Sequence, residues 1–383
     1  MTQLRVAVVF EIPTPYRQPV FERLARDENG TYRFFFLART QEDRLWKMES
    51  TSGLPATYLP GRQICLKGHH TIHLNWGLKG LLLNPPFDVY VLGGYAQPAI
   101  WKLLRWCWKS GTPYVMCSES HLRKKRPLWL RGIKGPWVRK VYARSSANLV
   151  TGSEAQAYAE HYGARRESIF RFPNSIDGPE YAARVDQERV HQQAHRKTLR
   201  LSQGPITLFV GALNYRKGVD LLIAAFREVA SRISNSSLVL VGNGSWESAL
   251  RTQVEQSGLS KQVTFLGFVQ PSDLPKIYAC SDLMVLPSRE ETFGAVICEA
   301  LAARLPVITT DAVGAARDFV ISEKTGLVVP SDDAPSLATA MLRLLSDKNL
   351  RSNMSAAAHA HMQPWTHDRM AAELRNSVRA ALA

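Results

Sequence analysis

The sequence predicts two α/β domains in tandem, each built on an open, mostly parallel sheet with helices on both faces. Short runs rich in valine, leucine, isoleucine and phenylalanine alternate with longer segments of helical periodicity. That alternation pauses over a polar stretch at residues 186–203 and then restarts. Hydrophobic residues make up 45% of the 383-residue chain, enough for two buried cores.

In the first half, five apolar runs predict buried strands and the segments between them predict helices. The predicted strands are Val6–Phe10, Arg33–Leu37, Val89–Leu92, Tyr114–Cys117 and Asn148–Thr151. The predicted helices are Gln18–Asp27, His73–Leu83 and Ala96–Lys109. We predict that residues 1–185 form the first domain and that residues 186–203, dense in Gln, His and Arg, form a linker.

The second half repeats the pattern. The predicted strands are Thr207–Val210, Leu238–Val241, Val263–Leu266, Leu283–Leu286, Val307–Thr309 and Gly326–Val329. The predicted helices are Val219–Ile233, Trp246–Gln256, Ser272–Cys280, Gly294–Ala303, Ala334–Leu345, Leu350–Ala360 and His367–Leu382. Residues 204–361 are the predicted second domain, and in parallel sheets of this kind ligands bind at the carboxyl ends of the strands.

The charge is strongly and unevenly basic. The formal net charge is +15, and residues 1–190 hold 28 Lys and Arg against 16 Asp and Glu. An excess of this size suggests an anionic partner. Nine cations fall between Arg123 and Arg144, with no acid between Glu119 and Glu154 and with Trp129 and Trp137 among them. This segment predicts contact with an anionic membrane surface, and the alternative is a solvated basic surface.

Other features limit the class of protein. The chain shows no helix-turn-helix, zinc-finger or RNA-recognition pattern, so no nucleic-acid partner is expected. Its five cysteines are scattered at long spacings and fit a reducing compartment. The first apolar run is interrupted by Glu11, unlike a signal peptide. We therefore expect a cytoplasmic protein, peripheral at the inner face of the cytoplasmic membrane.

Two cations follow the first predicted strand of the second domain. That strand ends at Gly211, and Arg216 and Lys217 lie just before the next helix. A guanidinium fork and an ammonium beside a helix N-terminus suit a diphosphate. The alternative is a pair of solvated surface charges, which is the common role of such residues.

Two carboxylates follow a later strand of the same domain. Glu291 lies in the loop, and Glu299 lies about one and a half turns into the helix that begins at Gly294. Carboxylates can accept hydrogen bonds from sugar hydroxyls in pairs. An exposed position is the alternative for Glu299, but the helix continues with Ala-Leu-Ala-Ala, which a solvated face explains poorly.

Several short motifs occur in a fixed order between Phe209 and Pro330. They are Val-Gly and Arg-Lys-Gly-Val-Asp within 210–220, Val-Gly-Asn-Gly at 241–244, Phe-Leu-Gly-Phe-Val at 265–269, the Glu-seven-Glu motif at 291–299 and Lys-Thr-Gly-Leu-Val-Val-Pro at 324–330. With this order and spacing the segment resembles the donor domain of retaining glycosyltransferases of family 4. The resemblance implies the GT-B fold: two doubly wound Rossmann-like domains facing a central cleft, with residues 362–383 as a C-terminal helix crossing back to the first domain.

The resemblance also implies a role for each matched residue. Arg216 and Lys217 would neutralise the donor diphosphate, and Glu291 would bond hydroxyls of the transferred sugar. Backbone amides would be presented to sugar and phosphate by Thr292, Phe293 and Gly294. Many members have an arginine where this chain has Ala212, so Arg216 is expected to supply the second cation.

The nucleotide would occupy the neighbouring loops. Glu299 would hold the ribose hydroxyls, Gly211, Gly242 and Asn243 would border the nucleotide, and Phe268 would lie near the base. In the first domain, many members have a histidine that contacts the donor sugar where this chain has Glu119. We predict a catalytic role for Glu119, and the alternative is that it pairs with nearby arginines.

The function implied is transfer of a sugar, with retention, from a UDP- or GDP-linked donor to a glycan or glycolipid acceptor. The acceptor would be lipid-linked, in the synthesis of cell-envelope polysaccharide such as lipopolysaccharide. Folds of this kind need no bound metal and no cluster of His, Asp and Cys suggests one, so neither a metal nor another cofactor is expected. The donor diphosphate would itself accept the acceptor's proton. The alternatives are a GT-B relative that hydrolyses or epimerises nucleotide sugars and, more weakly, a basic nucleic-acid-binding protein.

Overall fold

The computed structural model describes residues 4–28, 30–41, 54–66, 70–83, 86–123 and 128–383, without the side chains of 66, 70 and 128–133. The chain divides into two compact units. Unit 1 comprises Met1–Asn174 together with His367–Ala383, and unit 2 comprises Ser175–Thr366. The chain therefore leaves unit 1 once and returns to it at the end.

The described elements of unit 1 alternate between strands and helices, apart from one run of four strands whose last two form an antiparallel hairpin. They are β1 (Leu4–Phe10), α1 (Gln18–Ala25), β2 (Gly30–Phe36), β3 (Ala56–Tyr58), β4 (Gly61–Leu66), β5 (His70–Asn75), α2 (Leu78–Leu82), β6 (Val89–Gly93), α3 (Pro98–Ser110), β7 (Tyr114–Ser118), α4 (Leu128–Ala143), β8 (Ala147–Val150), α5 (Ser153–His161) and β9 (Ile169–Arg171).

Unit 2 begins with two helices and then alternates regularly. Its elements are α6 (Gly178–Arg189), α7 (Gln192–Thr198), β10 (Ile206–Val210), α8 (Val219–Arg232), β11 (Ser237–Val241), α9 (Glu247–Gln256), β12 (Val263–Gly267), α10 (Leu274–Ala279), β13 (Leu283–Leu286), α11 (Val296–Ala302), β14 (Val307–Thr310), α12 (Ala316–Phe319), β15 (Gly326–Val329), α13 (Ala334–Ser346) and α14 (Lys348–Met362). The last helix, α15 (His367–Leu382), belongs to unit 1.

Each unit has one large parallel sheet among its described residues. The order is β3-β2-β1-β6-β7-β8-β9 in unit 1 and β12-β11-β10-β13-β14-β15 in unit 2. In both, the order reverses beside the first strand, between β1 and β6 and between β10 and β13. Every residue of β10 and β13 is buried, as expected for strands covered on both faces. The predicted fold class, two doubly wound α/β domains, is confirmed.

The C-terminal helix packs its apolar side in unit 1. Met370, Ala371, Leu374 and Val378 are buried there beside the sheet, and their spacing matches an amphipathic helix. The residues just before it remain in unit 2, where the ring of Trp365 lies 4.9 Å from that of Phe319.

Three sequence predictions require correction. The first domain, predicted as residues 1–185, ends at Asn174, because the chain packs in unit 2 from Ser175 onwards. Residues 186–203 are not a polar linker: α6 and α7 pack on α10 within unit 2, and the buried guanidinium of Arg196 donates to the carbonyl of Cys280 at 2.7 Å. The predicted helix His73–Leu83 is instead the end of β5 followed by the short helix α2. Gly77, at φ 74°, separates them in a left-handed conformation that stops continuous helix formation.

Candidate functional site

The site in unit 2 forms where the strand order reverses, at the carboxyl ends of β10 and β13. At such a switch point the loops after the two strands diverge and leave room for a ligand. Gly211 directly follows β10, and the loop from Pro287 to Glu291 follows β13. The donor-site residues predicted from the sequence therefore lie in loops that follow adjacent strands of one sheet.

The loops after β10 and β11 touch backbone to backbone. Gly242 has φ 127°, and a Cβ placed there would lie 1.9 Å from the carbonyl oxygen of Gly211. The amide of Gly211 donates to Val241, and that of Leu213 donates to Asn243, at 3.0 and 2.9 Å. Glycine at 242 is thus required by close approach, while the Asn243 side chain is exposed.

The two predicted cations lie on a single 3₁₀ turn, Tyr215–Lys217. Gly218 ends that turn at φ 64° and begins α8, and a Cβ there would lie 2.1 Å from the carbonyl oxygen of Pro287. The amide of Arg289 donates to the carbonyl of Arg216 at 2.7 Å. These contacts hold the turn against the loop after β13, with the Arg216 side chain exposed and Lys217 mostly buried.

Lys217 and Glu291 form an ion pair across the two loops. The Lys217 Nζ donates to Glu291 Oε2, and their side chains are only 16% and 18% exposed. Burial opposes ionisation of Glu291, but Lys217, Arg216 and the backbone amide of Phe293 together hold its pKa below the usual value. A carboxylate is thus kept ionised beside two cations.

Arg289 is a residue that the sequence reasoning missed. Its guanidinium lies 4.2 Å from the ring centroid of Tyr215 and donates to the Tyr215 carbonyl at 3.0 Å. Arg289, in the loop after β13, therefore contacts the turn that carries Lys217. The signal that could have found it is its position two residues before Glu291 in a loop that already held a predicted site residue.

The loop that carries Glu291 is also bonded to the loop after β14. The amide of Gly314 donates to the Glu291 carbonyl at 3.1 Å, and that of Ala315 donates to Phe293 at 2.7 Å. Gly294 adopts φ 93°, in the left-handed region. The Phe293 side chain is buried against Phe319, so only the backbone of Phe293 can face a ligand; Thr292 is partly buried.

Glu299 lies on α11 in a buried tyrosine environment. The Tyr278 hydroxyl donates to Glu299 Oε2 at 2.9 Å, and the Tyr278 ring packs edge-on against Tyr181. Burial raises the pKa of Glu299, an effect that the Tyr278 hydrogen bond and the charge of Arg184 oppose. The alternative of a solvated helix residue is therefore wrong, because this side chain has a defined buried partner.

Phe268 follows β12, the strand next to β11. Its side chain is 37% exposed, and Gly267 before it has φ 69°. An exposed ring at the end of an outer strand offers a stacking surface.

In unit 1, Glu119 is paired with a buried arginine. Arg17 donates to Glu119 Oε1 at 2.7 Å and to Asn174 Oδ1 at 2.8 Å, while its guanidinium lies 4.6 Å from the Phe10 ring centroid. Burial lowers the pKa of Arg17, but nearby Cys117, Glu119 and Tyr16 raise it above its usual value overall. The pairing favoured by the alternative interpretation of Glu119 is present, and the Glu119 side chain is still 38% exposed.

The basic segment Arg123–Arg144 is described only in part. Lys124–Arg126 lie outside the described residues, as do the side chains of Trp129 and Arg131. Arg123 pairs with Glu154 at 3.4 Å, and Lys140 lies 4.6 Å from the Trp108 ring centroid. Trp137 packs on Trp101 and Trp108 of α3, so this tryptophan of the segment packs inside unit 1. Across the described residues, no helix combines the length and hydropathy required to traverse a bilayer.

Comparison with known proteins identifies one family over the second unit. Residues 191–361 match the family described as glycosyl transferases group 1. The chain is 31% identical over 242 residues to D-inositol 3-phosphate glycosyltransferase of Jonesia denitrificans, covering 60% of this chain and 56% of that protein. It is 34% identical over 192 residues to GDP-mannose-dependent alpha-(1-6)-phosphatidylinositol monomannoside mannosyltransferase of Mycobacterium tuberculosis, covering 48% of this chain and 50% of that protein.

The aligned segments span about half the length of these curated relatives. The fold is shared over nearly the whole chain with a crystal structure of Anabaena Alr3699/HepE in complex with UDP. The TM-score is 0.74 at 16% identity, with 98% of this chain and 100% of that chain covered. At this identity the likeness shows the fold.

Proposed function

We propose that the chain is a glycosyltransferase like those of family 4 and that it transfers a sugar, with retention, from a UDP- or GDP-linked donor to a glycan or glycolipid acceptor. The match of residues 191–361 to glycosyl transferases group 1 supports the family, and the likeness to a solved structure over nearly the whole chain supports the GT-B fold. The observation that carries this proposal is the Lys217–Glu291 ion pair beside Arg216 at the switch point of unit 2. The two cations can bind a diphosphate and the carboxylate can bind sugar hydroxyls, so one site holds groups for both parts of a nucleotide sugar.

In this proposal the donor diphosphate binds at the turn before α8. Arg216 and Lys217 supply positive charge, and the N-terminus of the 14-residue helix α8 adds its partial charge. As the bond between the sugar and the diphosphate breaks, negative charge grows on the leaving phosphate oxygen. Cations fixed in place by their neighbours stabilise that charge without reorganising.

Glu291 would bond hydroxyls of the transferred sugar, because its carboxylate is kept ionised by Lys217 and Arg216. Backbone groups of Thr292, Phe293 and Gly294 would complete this part of the site. Glu299 would hold the ribose hydroxyls, with Tyr278 fixing the carboxylate orientation. Gly211, Gly242 and Asn243 would border the nucleotide, and Phe268 would lie near its base.

The acceptor hydroxyl forms the new glycosidic bond while the nucleoside diphosphate leaves from the same face of the sugar. The acceptor's proton passes to the leaving diphosphate, so the step needs no separate protein base. Arg216 and Lys217 stabilise the charge of the leaving group in place of a metal. Glu119 of unit 1 is the residue that we propose to contact the reacting sugar. Its bond to Arg17 fixes its position.

The proposed acceptor is lipid-linked and the proposed location is the inner face of the cytoplasmic membrane. The name of the Mycobacterium tuberculosis relative specifies a phosphatidylinositol monomannoside acceptor, which supports a glycolipid by analogy. The cations of Arg123–Arg144 support attraction to anionic lipid. Cell-envelope polysaccharide or lipopolysaccharide synthesis is the setting that fits such an acceptor.

Thermal-shift measurements with UDP-, GDP- and ADP-linked sugars test the donor assignment, because a ligand that binds the folded state raises the unfolding temperature. The Lys217→Ala variant should lose the shift, whereas Lys276→Ala, at an exposed pair with Asp273 in the same unit, should keep it. Absence of a shift with every nucleotide sugar would contradict the proposal.

Product analysis separates sugar transfer from the alternatives. Incubation with donor alone should leave the donor largely intact, and adding a glycan acceptor should give a glycoside with the donor's anomeric configuration by NMR. Free sugar or an epimerised donor, formed without acceptor, would identify a GT-B relative of different chemistry. Binding to duplex DNA at physiological salt would favour the nucleic-acid alternative.

A further inference from the structure

The antiparallel hairpin β4–β5 interrupts the alternation of strands and helices in unit 1. Its register pairs Arg62 with Leu74 and Ile64 with Ile72. Successive side chains of a strand point to opposite faces, so these four residues share one face, here called the outer face. Gln63, His73 and Asn75 lie on the opposite, inner face.

The inner face is polar and is bonded to the rest of unit 1. The His73 amide donates to Gln97 Oε1 at 2.9 Å, and Gln97 Nε2 donates to the Thr71 carbonyl at 2.9 Å. Asn75 Nδ2 donates to the Leu37 carbonyl at 2.8 Å. His73 and Asn75 are 1% and 7% exposed. Hydrogen bonds, rather than apolar packing, hold this face in place.

The outer face is apolar and exposed. Ile64 is 44% exposed and Leu74 is 42% exposed. Trp76, directly after the hairpin, is 53% exposed. An antiparallel pair with one wet face normally turns apolar side chains inward and polar ones outward; this hairpin does the reverse. An apolar patch retained at the surface indicates an apolar partner.

The charge along residues 50–87, the segment that contains the hairpin, indicates which apolar partner fits. Residues 50–87 contain no Asp or Glu but contain Arg62, Lys67 and Lys79; Lys67 lies outside the described residues. A second copy of the chain would bring the same cations face to face and be repelled. An anionic lipid surface offers hydrocarbon for the aliphatic side chains, charge for the cations and an interface that tryptophan prefers.

We propose that the outer face of the β4–β5 hairpin, together with Trp76, docks unit 1 on an anionic lipid bilayer. The aliphatic and indole groups enter the interface while Arg62 and Lys79 meet lipid phosphates. This surface is separate in sequence from Arg123–Arg144 and does not depend on sugar transfer. Its apolar contacts would contribute membrane affinity that salt does not screen, in addition to the electrostatic attraction of the basic segment.

The test is sedimentation of the full chain with vesicles of phosphatidylglycerol and phosphatidylcholine. The double variant Ile64→Ser/Leu74→Ser should lower the partition coefficient at high salt by about tenfold, because it removes two aliphatic insertions. Val190→Ser is the matched control, since Val190 is an aliphatic side chain 80% exposed in unit 2. Its binding should equal that of the unsubstituted chain, and circular dichroism checks the fold of each variant.

A second readout uses the chain's own cysteines. Cys65 lies on β4 next to Ile64, on the opposite face of the strand, and it is exposed, whereas Cys107, Cys117, Cys280 and Cys298 are buried. An environment-sensitive fluorophore on Cys65 should shift to the blue with anionic vesicles and not with neutral ones. This signal reports that β4 approaches the bilayer even if the double variant folds poorly, and the serine variant tests the outer face itself.

The outcomes separate the possible explanations. Loss of salt-resistant binding in the hairpin variant, with the fluorescence shift, supports the proposal. Binding that is unchanged in that variant but abolished by Ser at Arg123–Arg126 would assign the membrane contact to the basic segment alone and overturn it. No binding of the unsubstituted chain, or a dimer in sedimentation equilibrium that the hairpin variant disperses, would overturn it too. None of these results depends on catalytic activity.

Discussion

The guanidinium of Arg289 donates two hydrogen bonds, each 2.7 Å long, to the carboxylate of Asp220. Arg289 lies in the loop after β13, and Asp220 lies in the first turn of α8. The planar fork of arginine matches a carboxylate in this two-bond geometry. The hydrogen bonds to Asp220 raise the pKa of Arg289, and burial only partly offsets this. The pair thus locks together the two segments that carry Glu291 and Lys217.

Arg289→Lys should weaken this lock without removing the charge. Lysine cannot form both bonds or stack on Tyr215 in the same way, so we expect a loss of stability of about 1–2 kcal/mol. Donor affinity should fall more than this loss of stability alone explains, because the two loops are no longer aligned. Denaturant titration and nucleotide-sugar thermal shifts measure the two effects. Arg232→Lys, at an exposed helical pair with Glu228, is the control; equal losses in both variants would contradict a positioning role.

Lys217→Ala should reduce turnover by about 10²–10³-fold, the loss typical when one fixed group that stabilises developing charge is removed. The substitution also leaves Glu291 without its closest cation, so sugar contacts should weaken with it. Steady-state kinetics with a saturating acceptor measure the effect. Lys276→Ala should retain normal turnover, and a Lys217→Ala protein with normal turnover would contradict the diphosphate assignment.

The sequence predicted the strands of both large sheets well where they are buried on both faces. β10 and β13 are short, continuous apolar runs, and a pattern of that kind has few alternative structures. It also placed Lys217 and Glu291 in loops that follow strands of the same domain. It could not supply the ion pair between them or the Arg289–Asp220 lock, because side-chain partners distant in sequence are set by tertiary packing.

The sequence failed where local rules are broken. Among the described residues of the hairpin, His73 and Asn75 are buried while Leu74 is exposed, so the apolar side chains do not mark the buried face. Apolar periodicity therefore predicted a helix over His73–Leu83. The linker prediction for residues 186–203 was wrong for a related reason. Arg196 is buried and hydrogen-bonded to backbone carbonyls, but composition alone suggests that such a residue is solvated. Departures of this kind concentrate at functional or strained sites, which agrees with a docking role for the hairpin.

Gly242→Ala should disrupt the nucleotide side of the site. The new Cβ would meet the Gly211 carbonyl oxygen at 1.9 Å, and alanine at φ 127° is strained in any case, so the loops after β10 and β11 must separate. We expect a stability loss of more than about 1 kcal/mol and loss of donor binding. Gly258→Ala is the matched control, since its φ is 71° but nothing lies within 4 Å of the added carbon. Donor binding that survives in both variants would show that the loop contact is unimportant for the nucleotide.

Substitution of Glu291 and Glu299 by glutamine should change stability in opposite directions at neutral pH. The folded-state pKa of Glu291 is lowered, so its stabilisation is present above the unfolded value of about 4.3 and is lost as pH falls through the folded value. The folded-state pKa of Glu299 is raised, mainly by burial. The unfolded chain then ionises first, so stability decreases as pH rises towards the folded value.

At about pH 7, Glu291→Gln should therefore be less stable than the unsubstituted chain and Glu299→Gln more stable, and both differences should shrink as the pH is lowered. Glutamine keeps an oxygen that can accept from Lys217 or Tyr278, so the hydrogen-bonded geometry is largely preserved. Denaturant titrations at several pH values measure the differences. Glu228→Gln, at an exposed position on α8, should show little pH-dependent difference. Shifts of the same sign in both site variants would mean that one carboxylate has a different environment in solution.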